Sequence, residues 1–485
     1  MWVLNEWGQL TAESEDRMKL LAYKNFINNC FLESPQSDKL KVFNPITENC
    51  IGEVSLATRE EAISAVESSA LAQKSWRKLT SAQRAVHLHQ LAHCLLEASP
   101  KIGEVLSLES GKTFKDATNE VGYAAEITRY HAEWARRIEG EVIPSDSPNE
   151  NLILHREPIG VVICLIPFNY PVYILLRKIA PALIAGNTVI VRPSDHTPCS
   201  AFEIARAVLQ AKLPSGVINI LAMTHEVTEA VCTHRKVGMI TMTGGLAAGR
   251  RILQYSQENI TKCSLELGGK TPAIIEPDAD LPKAAREIVE SKTTHCGQLC
   301  TAVERVYVHE SIYQRLIALL KENMRAVQAM GPLISASAQE RVHQMVERAV
   351  AEGADLAMGG QVPVGTTGYF YPPTLLLNCR QNMEIIQQET FGPVLSVMKY
   401  SNIEEALHLA NDHQFGLASV LYTENYRTVM KVSSEIEAGE LYINRIPSDP
   451  YQGYHAGWKR SGLGGDDGKH GVLEFTQTRL VVMSY

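Results

Sequence analysis

Short runs of β-branched and other apolar residues recur along this chain, separated by stretches with helical periodicity. Val161–Ile166, Val189–Val191 and Val217–Leu221 each have the continuous apolar character of a strand buried on both faces. A stretch of helical period, Ser200–Gln210, lies between the second and third of these runs. Strands that alternate with helices in this way are typical of parallel sheets covered by helices. The chain is therefore predicted to be an α/β protein.

The alternation continues and then restarts after Gly268 and Gly269. The further elements predicted are strand Val237–Met242, helix Ala247–Tyr255, strand Ala273–Ile275, helix Leu281–Lys292, strand Arg305–Val308 and a helix from Ile312. The restart predicts two α/β domains that meet near residues 266–270. Such a junction is a usual place for a ligand cleft.

Two amphipathic helices are predicted ahead of these strands. Thr58 and Glu61 have the spacing of a capping box in front of an apolar helix face. Ser81 is expected to begin a second helix, and Pro100 is expected to follow its end.

Composition excludes several classes of protein. At 485 residues the chain is long enough for two or three domains, and 54 acidic against 46 basic residues give a net charge of −8. No long basic run favours nucleic acid. The charged N-terminus, with Glu6, Glu13 and Asp16, does not resemble a signal peptide. The most apolar stretch, Ile159–Val191, is interrupted by prolines and charges, so no membrane span is predicted. Ten cysteines without CxxC spacing indicate reduced thiols in a cytoplasmic protein.

Two residue types with reactive side chains stand near the predicted domain junction. Cys296 and Cys300 precede a predicted strand, and each could be either a small buried hydrophobe or a nucleophile with a lowered pKa. Glu266 follows an apolar run, and it could be a general base for water or a solvated residue at a turn. The residues alone leave these alternatives open.

Amide donors are also predicted where two strands end. Asn169, between two prolines, could donate to an oxyanion or could satisfy the backbone of a turn. Gly244 and Gly245 lie between a strand and a helix, where free amides can hold a phosphate. No GxGxxG fingerprint follows these strands. No HExxH or zinc-type His/Cys spacing occurs, so no metal site is predicted.

Taken in order, the motifs resemble the NAD(P)-dependent aldehyde dehydrogenase superfamily from about Asn44 to the C-terminus. They are PFNYP at 167–171, RPSD at 192–195, MTG at 242–244, ELGGK at 266–270, GQLC at 297–300 and ETFGP at 389–393. The branch that the chain most resembles is that of the lactaldehyde and glycolaldehyde dehydrogenases, on the segments MTG at 242–244, YINR at 442–445 and QGYHAGW at 452–458. The resemblance implies two parallel-sheet α/β domains, one for the cofactor and one for catalysis, plus a small oligomerisation sheet.

The resemblance implies roles for the candidate residues. Cys300 would attack the aldehyde carbon as a thiolate and form a thiohemiacetal. Asn169 and the backbone N–H of Cys300 would hold the oxyanion. After hydride transfer to the nicotinamide, Glu266 would activate the water that hydrolyses the thioester. Relatives that transfer the acyl group to coenzyme A generally lack this glutamate, so the free acid is the expected product.

The resemblance also implies a cofactor site and a substrate site. The residues expected to meet the cofactor are Ile166, Arg192, Ser194, Asp195, Gly244, Gly245, Leu267, Glu389 and Phe391. The residues expected to line the substrate pocket are Arg177, Thr301, Asp449 and His455. Such polar groups suit a short hydroxylated aldehyde. The alternative for Arg177 is an ion pair at a helix surface. NAD is favoured because Asp195 would repel a 2′-phosphate, while Arg192 leaves NADP open.

Several positions depart from the family pattern. Arg192 and Asp195 replace Lys and Glu, Gly245 replaces Ser, and Asp449 and Thr301 replace the Glu and Asn usual in the lactaldehyde branch. Two hypotheses therefore stay open: an active aldehyde dehydrogenase, or a catalytically weakened relative with a binding or assembly role. Retention of the nucleophile, the base and the oxyanion amide favours the first.

Three parts are expected along the chain. Residues 1–267 would form the NAD-binding domain, 268–444 the catalytic domain, and 445–485 a C-terminal return segment. The last strand, within 475–485, is expected to pair with a hairpin at 141–158 in an oligomerisation sheet. The protein is expected to be a homodimer or homotetramer.

Overall fold

The computed structural model describes residues 2–4, 10–12, 20–33, 37–328 and 330–485. Its strands are β1 (Trp2–Leu4), β2 (Leu10–Ala12), β3 (Leu21–Tyr23), β4 (Asn25–Ile27), β5 (Cys30–Leu32), β6 (Lys39–Phe43), β7 (Cys50–Ser55), β8 (Glu141–Ile143), β9 (Glu150–Pro158), β10 (Val161–Leu165), β11 (Thr188–Arg192), β12 (Ile218–Ile220), β13 (Val237–Thr243), β14 (Lys262–Glu266), β15 (Thr271–Ile275), β16 (Val303–His309), β17 (Asp355–Met358), β18 (Thr374–Leu377), β19 (Val394–Tyr400), β20 (Phe415–Gly416), β21 (Ala418–Tyr422), β22 (Glu440–Ile443), β23 (Trp458–Lys459), β24 (Gly462–Leu463) and β25 (Thr476–Ser484). Its α-helices are α1 (Arg59–Trp76), α2 (Ser81–Glu97), α3 (Ser99–Ser110), α4 (Phe114–Ala132), α5 (Pro171–Ile184), α6 (Cys199–Gln210), α7 (His225–Cys232), α8 (Leu246–Ser256), α9 (Leu281–Thr293), α10 (Tyr313–Arg325), α11 (Ala336–Ala351), α12 (Glu384–Gln387), α13 (Ile403–Asn411), α14 (Tyr426–Glu435) and α15 (Gly468–Glu474).

The first large sheet has eight strands in the order β24-β14-β13-β10-β11-β12-β4-β5. The five central strands, β14 to β12 in that order, run parallel to one another. From β10 the chain builds outward in one direction through β11 and β12, and then returns to place β13 and β14 on the other side. The order of the strands therefore reverses between β10 and β13. In open α/β sheets, ligands bind outside the carboxyl ends of the strands at such a switch point.

The second large sheet has seven strands in the order β17-β18-β19-β16-β15-β21-β22. All of its pairs are parallel except that of β17 with β18. Helices cover the faces of both sheets, and the central strands are buried. The predicted α/β class with two parallel-sheet domains is confirmed.

A smaller three-stranded sheet has the order β25-β9-β8. In it, β25 pairs antiparallel with β9, from Thr476 opposite Pro158 to Ser484 opposite Glu150. Apolar side chains remain exposed on these strands, among them Val142 and Leu480. A second three-stranded sheet, β3-β7-β6, lies before α1.

The predicted strands and helices before residue 326 are present, and their ends differ from the predicted ones by at most two residues. The capping box of Thr58 and Glu61 begins α1. Ser81 begins α2, and Pro100 follows the end of that helix at Glu97, as expected. Pro100 also occupies the first turn of α3, where its missing N–H costs nothing. The ten cysteines are free thiols. Glu6, Glu13 and Asp16 lie outside the described residues. No α-helix in the described ranges is long and apolar enough to cross a membrane.

Candidate active site

The end of β14 meets the loop that carries Cys300. Glu266 is the last residue of β14, and its Oε1 lies 3.3 Å from Cys300 Sγ. Gly269 allows this approach, because a Cβ at that position would lie 2.4 Å from the carbonyl oxygen of Cys300. The structure therefore brings together the two residues that sequence analysis assigned to nucleophile and base.

Glu266 is buried and makes two further strong contacts. Thr243 Oγ1 donates to Oε2 at 2.7 Å, and His455 Nε2 lies 2.9 Å from Oε1. Burial by itself raises the pKa of Glu266, but the charge and hydrogen bond of His455 outweigh it and hold the pKa well below its ordinary value. Glu266 is therefore an ionised carboxylate beside the thiol.

The pKa of Cys300 is raised, whereas that of Glu266 is lowered. Burial and the negative charge of Glu266 raise the pKa of Cys300 well above its ordinary value. The sequence left open whether Cys300 has the lowered pKa of a reactive cysteine, and the structure favours the opposite direction. A thiol here reaches the thiolate form by giving its proton to an acceptor, and the Glu266 carboxylate is within reach.

Asn169 is held at the start of α5 by contacts that sequence reasoning missed. Its Nδ2 donates to the carbonyl oxygen of Gln298 at 3.0 Å. Nearby, buried Glu120 accepts the backbone N–H groups of Val172 and Tyr173 at 2.9 and 3.1 Å. Glu120 belongs to α4, and its carboxylate lies against the first turn of α5. A carboxylate in that place accepts free N–H groups and complements the helix dipole. Glu120 thus fixes the helix end that positions the Asn169 amide.

A cavity of about 440 Å³ opens over these residues. Cys300, Glu266 and Asn169 line it, together with three of the four residues expected to contact substrate, which are Arg177, Thr301 and Asp449. Aromatic side chains form much of the remaining wall, namely Tyr123, Tyr170, Tyr173 and Tyr451. A cavity with apolar and aromatic walls and a few converging polar groups is the usual form of a small-molecule site.

Arg177 is buried, which corrects the alternative of an ion pair at a helix surface. Its guanidinium pairs with the carboxylate of Asp467 and lies 3.7 Å from Asp449 Oδ2. Burial disfavours the charged guanidinium and so lowers the pKa of Arg177. The nearby carboxylates have the larger effect, and the pKa is raised. Burial also raises the pKa of Asp467, to about 6. The positive charge of Arg177 is thus largely balanced within the protein.

His455 is not among the residues that line the cavity, although it was expected on the substrate wall. Its side chain is 1% exposed and lies behind Glu266. The second ring nitrogen, Nδ1, is 2.9 Å from Glu440 Oε1. Burial opposes the charged form, but Asp449, Glu266 and Glu440 together raise the pKa of His455 well above its ordinary value. The imidazolium therefore bridges two carboxylates.

The residues expected to meet the cofactor gather at the switch point of the first sheet. Ile166 follows β10, and its N–H donates to the carbonyl oxygen of Arg192 at the end of β11. Arg192 forms a 2.7 Å ion pair with Asp195, whose side chain is 47% exposed. Leu267 and Ser194 lie at the ends of β14 and β11, respectively.

Two glycines test whether a dinucleotide fits this cleft. Gly245 is the N-cap of α8, no side chain caps that helix, and a Cβ on Gly245 would meet nothing within 4 Å. The N–H groups at the start of α8 are therefore accessible to a phosphate. At Gly268, by contrast, a Cβ would lie 2.3 Å from Glu389 Oε2. Glycine there lets the Glu389 carboxylate lie against the backbone.

Glu389 and Phe391 occupy the facing loop. Glu389 Oε1 accepts the N–H of Gly269 at 3.0 Å, and burial with the nearby charge of Glu304 raises its pKa to about 7. The Phe391 ring meets Phe168 edge-on, with 5.9 Å between ring centroids. These residues fit a nicotinamide cofactor, since a carboxylate can accept from ribose hydroxyls and a ring can pack beside a flat heterocycle.

A buried ion network that the sequence did not reveal holds this loop. Glu304 pairs with Lys270 Nζ at 2.5 Å and Lys292 Nζ at 2.7 Å. The same carboxylate accepts the backbone N–H groups of Thr390 and Phe391, each at 2.9 Å. Glu304, in β16, therefore holds the loop of Glu389 and Phe391 in place.

Comparison with known proteins agrees with this geometry. Residues 31–481 match the model of the aldehyde dehydrogenase family. The chain belongs to that family and is an oxidoreductase that acts on aldehydes, and the family uses a nicotinamide cofactor.

Among the similar proteins is lactaldehyde dehydrogenase of Escherichia coli, 44% identical over 455 residues that cover 92% of this chain and 95% of the relative. A crystal structure of that E. coli enzyme superposes with a TM-score of 0.94 at 42% identity, and covers 96% of this chain and 100% of its own. D-glyceraldehyde dehydrogenase (NADP(+)) of Thermoplasma acidophilum is 35% identical over 474 residues, which cover 95% of this chain and 96% of the relative.

Proposed function

We propose that this protein oxidises a short, hydroxylated aldehyde to the carboxylic acid, with NAD as the hydride acceptor and Cys300 as the nucleophile. The observation that carries the proposal is the 3.3 Å contact of Cys300 Sγ with the ionised Glu266 carboxylate, inside a cavity that Asn169 also lines. Nucleophile, proton acceptor and amide donor then surround one space.

The chemistry follows from these three groups. Glu266 accepts the thiol proton as Cys300 Sγ bonds to the aldehyde carbon, and the carbonyl oxygen becomes an oxyanion. The Asn169 amide and the Cys300 N–H stabilise that oxyanion. A nicotinamide cofactor, when bound, would supply the hydride acceptor, and loss of the hydride from the same carbon would leave a thioester on Cys300. Glu266 then releases the thiol proton to solvent and, again as a carboxylate, accepts a proton from the water that attacks the thioester. That proton passes to the departing Cys300 sulfur, and the acid and the free thiol result.

The cofactor would lie across the switch point of the first sheet. The N–H groups at the start of α8, after Gly244 and Gly245, would hold the pyrophosphate, with Ile166 and Leu267 beside it. Glu389 would accept from the nicotinamide ribose and Phe391 would flank the ring. Asp195, with Ser194, would meet the adenine ribose. Arg192 is engaged by Asp195 at 2.7 Å, which supports NAD over NADP.

The charge of the cavity supports a neutral substrate. Among the described lining residues, Arg177 is the cationic side chain, and two carboxylates already balance it. A substrate carboxylate would gain little from Arg177 and would approach Asp449. Hydroxyl groups suit the remaining polar atoms, including the Thr301 hydroxyl. The similarity to lactaldehyde dehydrogenase supports the same class of substrate.

We also propose the domain division of 1–267, 268–444 and 445–485. The exposed apolar side chains on β8 and β25 favour the role of their sheet in a homodimer or homotetramer. A partner subunit would cover them.

Formation of reduced cofactor tests the proposed function. Purified protein is mixed with lactaldehyde, glycolaldehyde, succinate semialdehyde or propanal, and with NAD or NADP. We expect turnover of the hydroxyaldehydes with NAD, loss of turnover in Cys300→Ala, and retention in Cys296→Ala, a fully buried thiol four positions away. Absence of turnover with every pair, on folded protein, would instead favour a catalytically weakened relative.

A further inference from the structure

Three different metal-ligand atoms converge at the candidate active site. Cys300 Sγ, Glu266 Oε1 and His455 Nε2 all lie within 4.8 Å of one another. Bonds from Zn²⁺ to sulfur, nitrogen and oxygen are about 2.0–2.3 Å, so ligand atoms in a tetrahedral site lie roughly 3.5 Å apart. The separations of 3.3 Å from Sγ to Oε1 and 2.9 Å from Nε2 to Oε1 need only small adjustments to admit an ion.

The contact of the second ring nitrogen of His455, Nδ1, is an independent indication of a metal site. Glu440 Oε1 lies 2.9 Å from Nδ1. A histidine that binds metal through one ring nitrogen almost always donates the other N–H to a carboxylate or carbonyl, which fixes the ring and raises its basicity. Glu440 therefore directs Nε2 toward Glu266 and Cys300, as the outer partner in a metal site would.

The cavity provides the fourth position. Cys300 and Glu266 both line its space of about 440 Å³, which gives an ion an entry path and a place for one water. We propose that Cys300, Glu266 and His455 form a site for Zn²⁺ or a similar divalent ion, and that the bound ion reversibly switches the enzyme off. The inhibition rests on the proposed role of Cys300 as nucleophile, because coordination draws electron density from the thiolate sulfur and lowers its reactivity toward the aldehyde.

Binding is a ligand exchange without redox change. The Cys300 thiol and the His455 imidazolium each release one proton to solvent as the metal–sulfur and metal–nitrogen bonds form. Because both groups must lose a proton to bind the ion, metal affinity should rise with pH. The charged groups facing His455 are Glu266, Glu440, Asp449 and Arg177.

Titration of the chelator-treated full-length protein with Co²⁺ and Zn²⁺ tests the site. We expect one equivalent of Co²⁺ to give a thiolate-to-cobalt charge-transfer band with tetrahedral d–d absorption, and Cys300→Ala to abolish the charge-transfer band. In competition with a chromophoric chelator, Glu440→Gln should weaken Zn²⁺ binding by about 10–100-fold, as loss of an outer partner usually does. Cys296→Ala should change neither quantity, because Cys296 lies outside the cluster.

Two results would overturn the proposal. One is Co²⁺ binding to the wild-type protein without a charge-transfer band. The other is unchanged Zn²⁺ affinity in both Glu440→Gln and His455→Gln, which would mean that the thiol alone binds metal. The proposed function is judged separately: turnover in chelator that Zn²⁺ does not inhibit leaves the function intact and refutes the switch. A cobalt charge-transfer band in a protein that shows no turnover would support the metal site and refute the proposed function.

Discussion

Replacement of His455 should bring the ionisation of Glu266 into the measurable pH range. The imidazolium lies 2.9 Å from the Glu266 carboxylate, and an opposite charge within about 4–6 Å lowers a carboxyl pKa by about 1–3. The short distance places the effect at the upper end of that range. The charge of His455 lowers the pKa of Glu266 in the folded protein, so its removal in His455→Gln should raise that pKa by about 2–3. Burial raises the pKa of Glu266 in both proteins.

The assay is the pH dependence of steady-state turnover with a hydroxyaldehyde and NAD. Glu266 must be ionised to accept a proton, so the wild-type rate should lack an acidic limb due to this group above about pH 4. In His455→Gln the acidic limb should move to higher pH, with the rate falling tenfold per pH unit below it, because loss of the imidazolium charge raises the pKa of Glu266. The control is His413→Gln, another buried imidazole, whose Nε2 lies 3.0 Å from the Ile386 carbonyl oxygen. An unchanged acidic limb in folded His455→Gln protein would refute the electrostatic role of His455.

Other predictions concern the cofactor site and the buried network. Gly268→Ala should weaken NAD binding at least tenfold in a fluorescence titration, because the new Cβ would displace Glu389, whereas Gly245→Ser should bind NAD at least as well as the wild type, since its Cβ meets open space. NAD affinity should rise from pH 6 to pH 8, as the Glu389 carboxyl ionises near its pKa of about 7, and Glu389→Gln should remove this dependence. Glu304→Gln leaves buried lysines unpaired and should cost about 3–5 kcal/mol in urea unfolding. Substitution of the exposed Glu340 by Gln should cost under about 0.5 kcal/mol.

Local patterns predicted much of the fold because each depends on neighbouring residues. The Thr58 and Glu61 capping box needs only three-residue spacing, and the buried strands carry their apolar character in short runs. Pro100 follows the end of α2 as expected, but the start of α3 at this proline was not predicted, because a proline after a helix can either lie in a loop or begin the next helix. Helix α5 was not predicted, since its continuous apolar sequence with Pro181 inside lacks the amphipathic period of a surface helix.

The candidate site was predictable only where the resemblance supplied motifs. Glu266, Cys300 and Asn169 lie in such motifs, and the structure places them around one cavity. The pairing of His455 with Glu266 spans 189 residues, and no spacing rule connects residues so far apart. The contact of Glu120, in α4, with the first turn of α5 was not predicted for the same reason. An acidic residue on the buried face of α4 is nevertheless a signal that could have indicated a buried partner. Burial and the charged partners, which together set the pKa directions described above, are properties of the folded chain alone.

Covalent trapping of the acyl enzyme tests whether Cys300 is the nucleophile. Wild-type protein is mixed with NAD and lactaldehyde, quenched in acid within the first turnover and digested for mass spectrometry, with Glu266→Gln treated in the same way. We expect a burst of reduced cofactor and a thioester on the peptide that contains Cys300, at most one acyl group per chain, and a slower burst in Glu266→Gln, because Glu266 is proposed to accept the thiol proton. A burst without an adduct on Cys300, or an adduct on another residue, would contradict the proposed mechanism.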